Sequence, residues 1–352
     1  MKYALPQALF LVACLSLLSW GQSDPAACNT TPPASYTIID LGTLGGTVSY
    51  AAGTNSVGDV AGQSYLAGDS THEHAFLWKA NGGMIDLGTL SGGSYSQGIA
   101  LNSSDEVVGI ADTGVGFTQH AFLWTSSGGM QDLGSLGAST DYSYAFGIDD
   151  RSRVVGGSYA NATDEYSTIW INGQVRSLSP TSAGEARAIS TQRGYVAGLG
   201  AKGDAFVWTK AGGFTDLGRL SGGTISFAYG VNNSGQAVGY SDFGDPLHTT
   251  TAFFWSKAVG IESMGTLGWN PSTAEAINDQ CLAVGYSIIA DQTNEHAFIW
   301  SQATGMLDLN SKIPPNSGWV LTLATGINAS GQIVGQGTIN RQSHAFLLTP
   351  VN

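Results

Sequence analysis

The sequence has few charges, few cysteines and few long apolar segments. Only 11% of its 352 residues are charged, and 13 lysines and arginines stand against 26 acidic residues, a formal net charge of −13. A surface so acidic and poor in lysine repels phosphate backbones and anionic membranes, so we expect no nucleic-acid partner. The three cysteines have no zinc-finger spacing. The glycine-rich segments lie between predicted strands and open no helix, which excludes a phosphate-binding loop.

The longest apolar segment lies at the start of the chain. Residues 8–18 are almost entirely apolar, Lys2 precedes them, and small residues suited to cleavage follow. This pattern predicts a signal peptide over residues 1–21 and a leader over residues 22–35, and therefore a secreted or periplasmic protein. The apolar run is too short to span a bilayer, and we expect no transmembrane segment. Lipidation of Cys14 is an alternative, although Cys14 lies in the middle of the apolar run.

Two cysteines, Cys28 and Cys281, would remain after cleavage. Cys281 stands at a turn position where other repeats carry glycine. Export permits a disulfide between the two, but spacing along the chain cannot establish the geometry that a disulfide needs. We favour two separate thiols, with a disulfide as the alternative.

A strand-like phrase of the type His-Ala-Phe-Leu-Trp recurs seven times. The phrases end at Trp78, Trp124, Trp170, Trp208, Trp255, Trp300 and Leu348, so the period is 38 to 48 residues. Four of them open on a histidine, namely His74, His120, His296 and His344. In the third repeat we align Ser167 with these histidines. A period of this size, with no helical pattern inside it, indicates a propeller or a solenoid.

Three further phrases keep the same phase. Each repeat begins with a small-X-small phrase such as Ala228–Asn232, continues into a Val-Gly strand such as Val238-Gly239, and ends near an Asp-Leu-Gly such as Asp216–Gly218. Four short strands per repeat, separated by glycine and asparagine, are typical of propeller blades. The sequence therefore predicts an all-β fold over residues 36–352, a seven-bladed β-propeller of four-stranded antiparallel blades.

The order of the strands predicts how the ring closes. A lone strand, Tyr36–Gly42, precedes the first repeat, whereas the seventh repeat stops after the phrase that opens on His344. The N-terminal strand can therefore complete the last blade, which leaves no open sheet edge. A solenoid would instead need polar caps at both ends.

Three motifs occur together in register: His-Ala-Phe-Leu-Trp, Gly-Gly-Met-x-Asp-Leu-Gly-Thr-Leu and Asn-Asn-Ser-Gly-Gln-x-Val-Gly-Tyr-Ser. On these motifs the chain resembles the HAF-repeat family of extracellular bacterial repeat proteins, over roughly residues 36–350. The resemblance implies an exported repeat protein and does not imply a particular activity.

Side-chain size predicts which strand lies at the axis. Both small positions of the small-X-small phrase hold alanine or glycine in all seven repeats, and space is tightest at the centre of a ring. These phrases should therefore form the inner strands. The large side chains should pack between blades, where each contributes roughly 1.5–3 kcal/mol. We assign this structural role to Trp78, Trp124, Trp170, Trp208, Trp255 and Trp300.

The repeated histidines and aspartates occupy equivalent places in different blades, which lie far apart. They cannot converge on one metal ion or one scissile bond, so we expect the histidines to bond backbone or a loop and the aspartates to close their turns. His72 and His74 lack a third ligand for zinc. Residues 68–70 and 291–295 are rich in oxygen ligands but lack the spacing of a calcium loop. We expect no cofactor, with Ca²⁺ as the weaker alternative.

Departures from the repeat are the candidates for a ligand site. Glu185, Arg187 and Glu275 place charges in inner-strand phrases that are otherwise small or apolar. The position equivalent to Glu185 holds an aromatic residue in three other repeats, namely Tyr50, Tyr144 and Phe227. These side chains should lie near the axial channel. A buried Glu-Arg pair that only stabilises an irregular blade is the alternative.

Three functions are compatible with this sequence. The first is a noncatalytic extracellular propeller that binds a glycan, a polymer or a protein. The second is a hydrolase or lyase of an extracellular polymer that uses carboxylates near the axis. The third is a surface or matrix scaffold. The fold cannot decide among them, because propellers serve all three.

Overall fold

A computed structural model of the protein describes residues 28–351, except for residues 70, 117, 139–141, 162, 180–183 and 245–248. The predicted signal peptide, Cys14 and residues 22–27 of the leader lie outside the described residues. No helix in the described part of the chain is both long and apolar enough to cross a membrane.

The chain forms seven four-stranded antiparallel sheets, which confirms the predicted propeller. Each sheet is one blade and is numbered as its repeat. The inner strands are β2 (Gly45–Thr54), β6 (Ser96–Leu101), β10 (Ser143–Ile148), β14 (Gly184–Ile189), β18 (Ser226–Val231), β22 (Gly268–Ile277) and β26 (Val320–Ile327). The second strands are β3 (Val60–Leu66), β7 (Val107–Asp112), β11 (Val154–Tyr159), β15 (Val196–Gly200), β19 (Ala237–Asp242), β23 (Ala283–Ile289) and β27 (Ile333–Ile339).

The His-Ala-Phe phrases form the third strand of each blade. These are β4 (Glu73–Lys79), β8 (Gln119–Thr125), β12 (Glu165–Ile171), β16 (Ala205–Thr209), β20 (Thr250–Ser256), β24 (Glu295–Ser301) and β28 (Gln342–Pro350). The outer strands are β5 (Gly83–Asp86), β9 (Gly129–Asp132), β13 (Gln174–Ser177), β17 (Gly213–Asp216), β21 (Gly260–Gly265), β25 (Gly305–Asp308) and β1 (Tyr36–Asp40). A 3₁₀ turn, Leu309–Lys312, follows β25.

Closure of the ring follows the prediction. β1 pairs antiparallel with β28, from Tyr36 opposite Pro350 to Asp40 opposite Phe346, and so supplies the outer strand of blade 7. The pairing removes an edge that would otherwise offer unpaired backbone groups to another chain. It also joins the two ends of the propeller.

The hydrophobic core lies between neighbouring blades. Leu77 of blade 1, for example, belongs to the same buried cluster as Phe122 of blade 2. Four of the tryptophans assigned to structure are buried, namely Trp78, Trp170, Trp255 and Trp300. Trp124 and Trp208 are half-buried and pack against such clusters. The tryptophans therefore lie where their size predicts.

Every inner strand contains a bulge at the small-X-small phrase. In blade 1 the ladder passes from Ala51 to Gly53, and Ala52 between them has no partner on β3. The same shift occurs in the other six blades. The glycine of the Val-Gly strand makes room for it: a Cβ on Gly62 would stand 2.0 Å from the carbonyl oxygen of Tyr50. Because a bulge redirects a side chain, the residue X leaves the sheet and faces the axis.

The asparagines that end the inner strands link five of the seven pairs of neighbouring blades. Each side-chain amide donates to the main-chain carbonyl of the equivalent residue in the next blade. The observed bonds run from Asn55 to Asn102, Asn102 to Asp149, Asn232 to Asn278, Asn278 to Asn328 and Asn328 to Asn55. Asp149 and Ser190 replace asparagine in blades 3 and 4 and carry no such donor. The last of these bonds joins blade 7 to blade 1.

The repeated histidines pair with the repeated aspartates, so the expectation that they bond backbone or a loop is wrong. The Nδ1 atom lies 2.7–2.9 Å from a carboxylate oxygen in His74–Asp86, His120–Asp132, His296–Asp308 and His344–Asp40. The aspartates also accept from the main chain of their turns, as predicted; Gly88 N, for example, donates to Asp86 at 2.8 Å. Adjacent antiparallel strands bring the pair together, which spacing in the sequence does not show.

The alignment of the third repeat needs a correction. Tyr166 stands opposite Ser158 in the ladder, as His74 stands opposite Ser64 in blade 1. Tyr166 is therefore the residue equivalent to the histidines, and Ser167 is equivalent to alanine. The third repeat departs from the others by a bulky replacement of histidine.

The two cysteines form a disulfide, so the preference for separate thiols is wrong. Cys28 and Cys281 have Cα atoms 5.3 Å apart and are bonded across a sequence separation of 253 residues. Both residues lie in one buried cluster with Trp300. The bond fastens the segment before β1 to the turn between β22 and β23, and folding alone supplies the proximity that the sequence could not show.

Candidate functional site

The seven bulge residues line the axial channel. They are Ala52, Ile99, Phe146, Arg187, Tyr229, Glu275 and Thr325. Small or aliphatic residues stand on the side of blades 1, 2 and 7, whereas large and charged residues stand on the side of blades 3 to 6. The same backbone device thus presents seven different side chains, and this makes the channel asymmetric.

Arg187 is the centre of the polar side. Its Nε atom lies 2.8 Å from the Oε1 atom of Glu185, which is two residues earlier on β14. Its guanidinium carbon lies 4.0 Å from the ring centroid of Phe146, 5.4 Å from that of Phe227 and 5.6 Å from that of Tyr229. Arginine is attracted to aromatic faces and binds carboxylates. The contacts hold the guanidinium between blades 3 and 5.

Two glutamates at this side of the channel are poised to change charge near neutral pH. Burial raises the pKa of Glu185 to about 7, against the lowering effect of the Arg187 charge. Burial also raises the pKa of Glu275 to about 7, again opposed by Arg187. The charge of Glu165 adds to the shift at Glu185. Desolvation therefore outweighs one neighbouring cation.

Gly157 explains how the glutamates fit side by side. A Cβ on Gly157 would stand 2.3 Å from the Oε1 atom of Glu165 and 3.6 Å from the Cγ atom of Glu185. The equivalent residue of blade 1 is Gln63, which has a large side chain. The missing side chain in blade 3 opens the space that both carboxylates occupy.

An aromatic stripe runs along β10 from the rim of the channel to Arg187. Tyr142 is 37% exposed just before the strand. Its ring stacks with Tyr144 at 6.4 Å, and Tyr144 stacks with Phe146 at 6.2 Å. Tyr159 meets both tyrosines edge-on. Flat apolar faces thus continue from solvent to the charged group at the axis.

The opposite wall belongs to blades 1 and 2. A cavity of ≈550 Å³ at the mouth includes both walls. On this wall it is lined by Tyr50, Gln63, Tyr65, Glu73 and Gln97. The wall has a carboxylate and amides among phenol rings, and it differs from the Arg187 wall because none of these side chains is cationic.

Part of this site was predicted from the sequence. The structure brings Glu185, Arg187, Phe227 and Glu275 together, and it places Tyr144 beside them and Tyr50 on the opposite wall. Sequence reasoning missed Phe146 and Tyr229, which hold the same repeat position as Arg187. It named Glu73 only as a neighbour of His72 and His74, and it did not assign Glu73 or Glu165, which open the third strands, to the channel. The available signal was that glutamate recurs at the residue before the histidine position.

The described residues contain no group of three histidine, cysteine or acidic side chains arranged to hold a metal ion. His72 lies 2.8 Å from Asp69 and His74 lies 2.9 Å from Asp86, so the two histidines have different partners. Asp291, in the other oxygen-rich loop, accepts from the main chain of Thr293. Ca²⁺ remains a sequence-based alternative that these contacts do not favour.

Replacing Glu275 with glutamine is expected to stabilise the protein at pH 8. The ordinary glutamate pKa is 4.5 and burial raises that of Glu275 to about 7, so the folded state holds the proton longer than the unfolded state. Stability is therefore lost as the pH rises from 4.5 through 7. The variant should gain about 3 kcal/mol over the parent at pH 8 and little at pH 4.5.

The measurement is urea unfolding of both proteins at four pH values from 4.5 to 8. Glu262→Gln is the matched control, because Glu262 is exposed on an outer strand. A constant difference between Glu275→Gln and the parent at every pH would show that Glu275 does not titrate in this range.

Comparisons with known proteins identify the fold. No protein family model and no curated protein matches the chain. The β-propeller domain of the Trilobed protease from Pyrococcus furiosus, described as having an open velcro topology, is 8% identical with a TM-score of 0.54, over 87% of this chain and 96% of that chain. Streptogramin B lyase is 9% identical with a TM-score of 0.56, over 91% of this chain and 100% of that chain. At such identities the similarity shows a propeller and no activity.

Proposed function

We propose that the protein is an exported, noncatalytic β-propeller of the HAF-repeat type that binds an extracellular glycan, polymer or protein at the mouth of its channel. The observation that carries this proposal is the asymmetry of the bulge residues. A ligand that meets seven near-equivalent blades can be oriented only by what differs among them. Arg187, Phe146 and Tyr229 are the largest of these differences.

The chemistry of the mouth suits a polymer with flat faces and hydroxyl groups. The stripe from Tyr142 to Phe146 offers stacking surfaces that reach solvent, and Arg187 with Glu185 offers donors and acceptors at its inner end. Sites that bind small organic groups combine apolar walls with a few placed polar groups in this way. The net charge of −13 disfavours nucleic acid as the partner.

Export is supported by two observations of different kinds. The pattern of residues 1–21 is that of a signal peptide. The Cys28–Cys281 disulfide belongs to an oxidising compartment. A secreted or periplasmic location is therefore part of the proposal.

A hydrolase or lyase of an extracellular polymer is the second candidate. Glu185 and Glu275 favour it, because a carboxyl group whose pKa lies near 7 can act as a general acid at neutral pH. The ion pair with Arg187 and the aromatic packing give Glu185 a structural role as well, and for this reason binding without catalysis is the preferred function.

Arg187→Ala is expected to weaken binding of the polymer by at least tenfold. The test starts from a screen of the protein lacking residues 1–21 on a glycan array and against soluble polymers, with product release followed in parallel. Binding without product supports the first function, and release of product supports the second. Affinity of the best ligand is then measured for the parent and the variant.

Arg151→Ala is the matched control, because Arg151 is exposed on the turn between β10 and β11, at the opposite face. Circular dichroism should show that both variants fold. Full affinity in both Arg187→Ala and Glu275→Gln would move the site away from the channel and onto the loops before the third strands.

A further inference from the structure

The wall of blades 1 and 2 contains a carboxylate oxygen without a partner. Glu73 opens β4 opposite Tyr65 of β3. Its Oε1 atom accepts from the Nε2 atom of Gln97 in the next blade at 3.0 Å. Its Oε2 atom is buried, and no donor among the described residues reaches it. A buried acceptor without a donor is costly, and Glu73 lines the cavity at the channel mouth.

Tyrosine side chains lie near Glu73. Tyr50 and Tyr65 line the cavity with Glu73. Burial raises the pKa of Tyr50 and of Tyr95, and the negative charge of Glu73 raises both further. The phenols of Tyr50 and Tyr95 are therefore neutral at physiological pH. Phenol rings and a carboxylate together attract an ammonium group, through the ring faces and by ion pairing.

Among the described residues no cation pairs with Glu73, so a cationic partner for it would be a ligand. Arg187 also lines the cavity, but its guanidinium is held by Glu185 and three aromatic rings on the opposite wall. A metal ion is a poor candidate, because Glu73 belongs to no group of three possible ligands among the described residues. A ligand with its own positive charge fits the wall better.

We propose that Glu73 binds the protonated primary amine of an amino-sugar unit in a polymer, with Tyr50 and Tyr65 packing beside the sugar ring. This inference rests on the proposed function and names its ligand class. The side-chain amides of Gln63, Gln97 and Gln336 line the same cavity and suit the hydroxyl groups of a sugar. The hydrocarbon stem of a lysine side chain would offer no hydrogen-bonding group to the amides of Gln63 and Gln336. The net charge of −13 attracts a polycation.

The test compares two probes that differ only at the amine. A glucosamine hexamer carries free ammonium groups, and an N-acetylglucosamine hexamer of the same length does not. Titration calorimetry should show that the protein binds the glucosamine hexamer at least tenfold more tightly. Glu73→Gln should lose this preference, because glutamine keeps the shape of the side chain and removes its charge.

Glu295→Gln is the matched control. Glu295 opens β24 as Glu73 opens β4, but it is exposed in blade 6. Its replacement removes the same charge from the protein and should leave both affinities unchanged within twofold. If both variants lost the same affinity for the glucosamine hexamer, the effect would come from the net charge of the protein, and the inference would be overturned.

Other results would also overturn it, and they fall into two groups. One is equal binding of the two hexamers, or retention of the preference in Glu73→Gln. The other is tighter, Glu73-dependent binding of pentalysine, which would assign the wall to a basic protein segment and not to a sugar.

The Arg187→Ala variant tests the proposed function separately from the amine site. If the array ligand needs Arg187 but shows no amine preference, the proposed function stands and the amine site fails. If the preference depends on Glu73 and Arg187→Ala binds normally, the amine site stands and the Arg187 wall is not where the polymer is held.

Discussion

A chain that begins at Gly45, and therefore lacks β1, is expected to be largely unfolded under conditions where a chain that begins at Thr30 still folds. Removing β1 takes away the whole pairing with β28 and leaves blade 7 with three strands. It also removes Tyr36 and Leu41, which are buried at 1% and 5% exposure. Each such side chain contributes roughly 1.5–3 kcal/mol.

The loss is large on the scale of the whole protein. Two buried side chains, the strand pairing and the Asp40–His344 pair together stabilise the fold by about 5 kcal/mol or more, and folded domains are stable by only about 5–15 kcal/mol. Exposed β28 would in addition present unpaired backbone groups that favour aggregation.

The experiment compares thermal unfolding and gel filtration of the two chains, both with Cys281→Ser because neither retains Cys28. The chain from Thr30 keeps β1 and the contact of Lys312 with the carbonyl of Pro33, at 2.9 Å. A synthetic peptide of residues 30–44, added to the shorter chain, should restore the near-ultraviolet circular dichroism. Equal midpoints for the two chains would mean that β1 is not needed for closure.

The blade architecture was predictable because every repeat has the same pattern of large and small apolar side chains. Alternating Phe76 and Trp78 lie between blades, and alanine and glycine lie where blades converge, so size alone ordered the strands. Closure followed from counting strands: one precedes the first repeat and one is missing from the last. These are properties of sequence order, and they needed no coordinates.

The pairs made across strands or across blades were not predictable in the same way. His74 and Asp86 were both recognised, but only the hairpin of β4 and β5 brings them to 2.9 Å. Cys28 and Cys281 meet only because β1 joins blade 7, which brings the segment before β1 close to blade 6. The sequence alignment of the third repeat was wrong by one residue, at Ser167 instead of Tyr166, because this repeat lacks the histidine that fixes the alignment.

Only part of the site could be predicted from the sequence, and the reason lies in the backbone. Glu185, Arg187 and Glu275 stood out by charge. Phe146 and Tyr229 are uncharged residues at the same repeat position as Arg187, and they did not stand out. The bulge in each inner strand redirects these residues to the axis, and a bulge has no signature in a phrase as short as small-X-small.

Breaking the disulfide is expected to cost about 3 kcal/mol of folding free energy. The Cys28–Cys281 bond closes a loop with a sequence separation of 253 residues, and removing a bond of this kind typically costs 2–4 kcal/mol because the unfolded chain gains freedom. In the folded protein the bond also fastens the segment that leads into β1. Loss of the bond should therefore loosen the β1–β28 closure before the rest of the ring unfolds.

The backbone at Cys281 allows a sharper version of this test. Cys281 has φ of +62°, and Gly58, Gly235 and Gly331 occupy the same turn position in other blades with positive φ. Glycine adopts this conformation without strain, whereas another residue loses about 1 kcal/mol. Two double variants isolate the effect: Cys28→Ser with Cys281→Ser, and Cys28→Ser with Cys281→Gly.

The serine variant should lose about 3 kcal/mol relative to the oxidised parent, and the glycine variant about 2 kcal/mol, because glycine relieves the turn at Cys281. Urea unfolding with and without a reductant measures both quantities. The reductant should bring the parent to the level of the serine variant and leave the two variants unchanged. If the parent were equally stable in both conditions, the cysteines would not be joined in solution, and no covalent cross-link would tie the segment before β1 to the turn between β22 and β23.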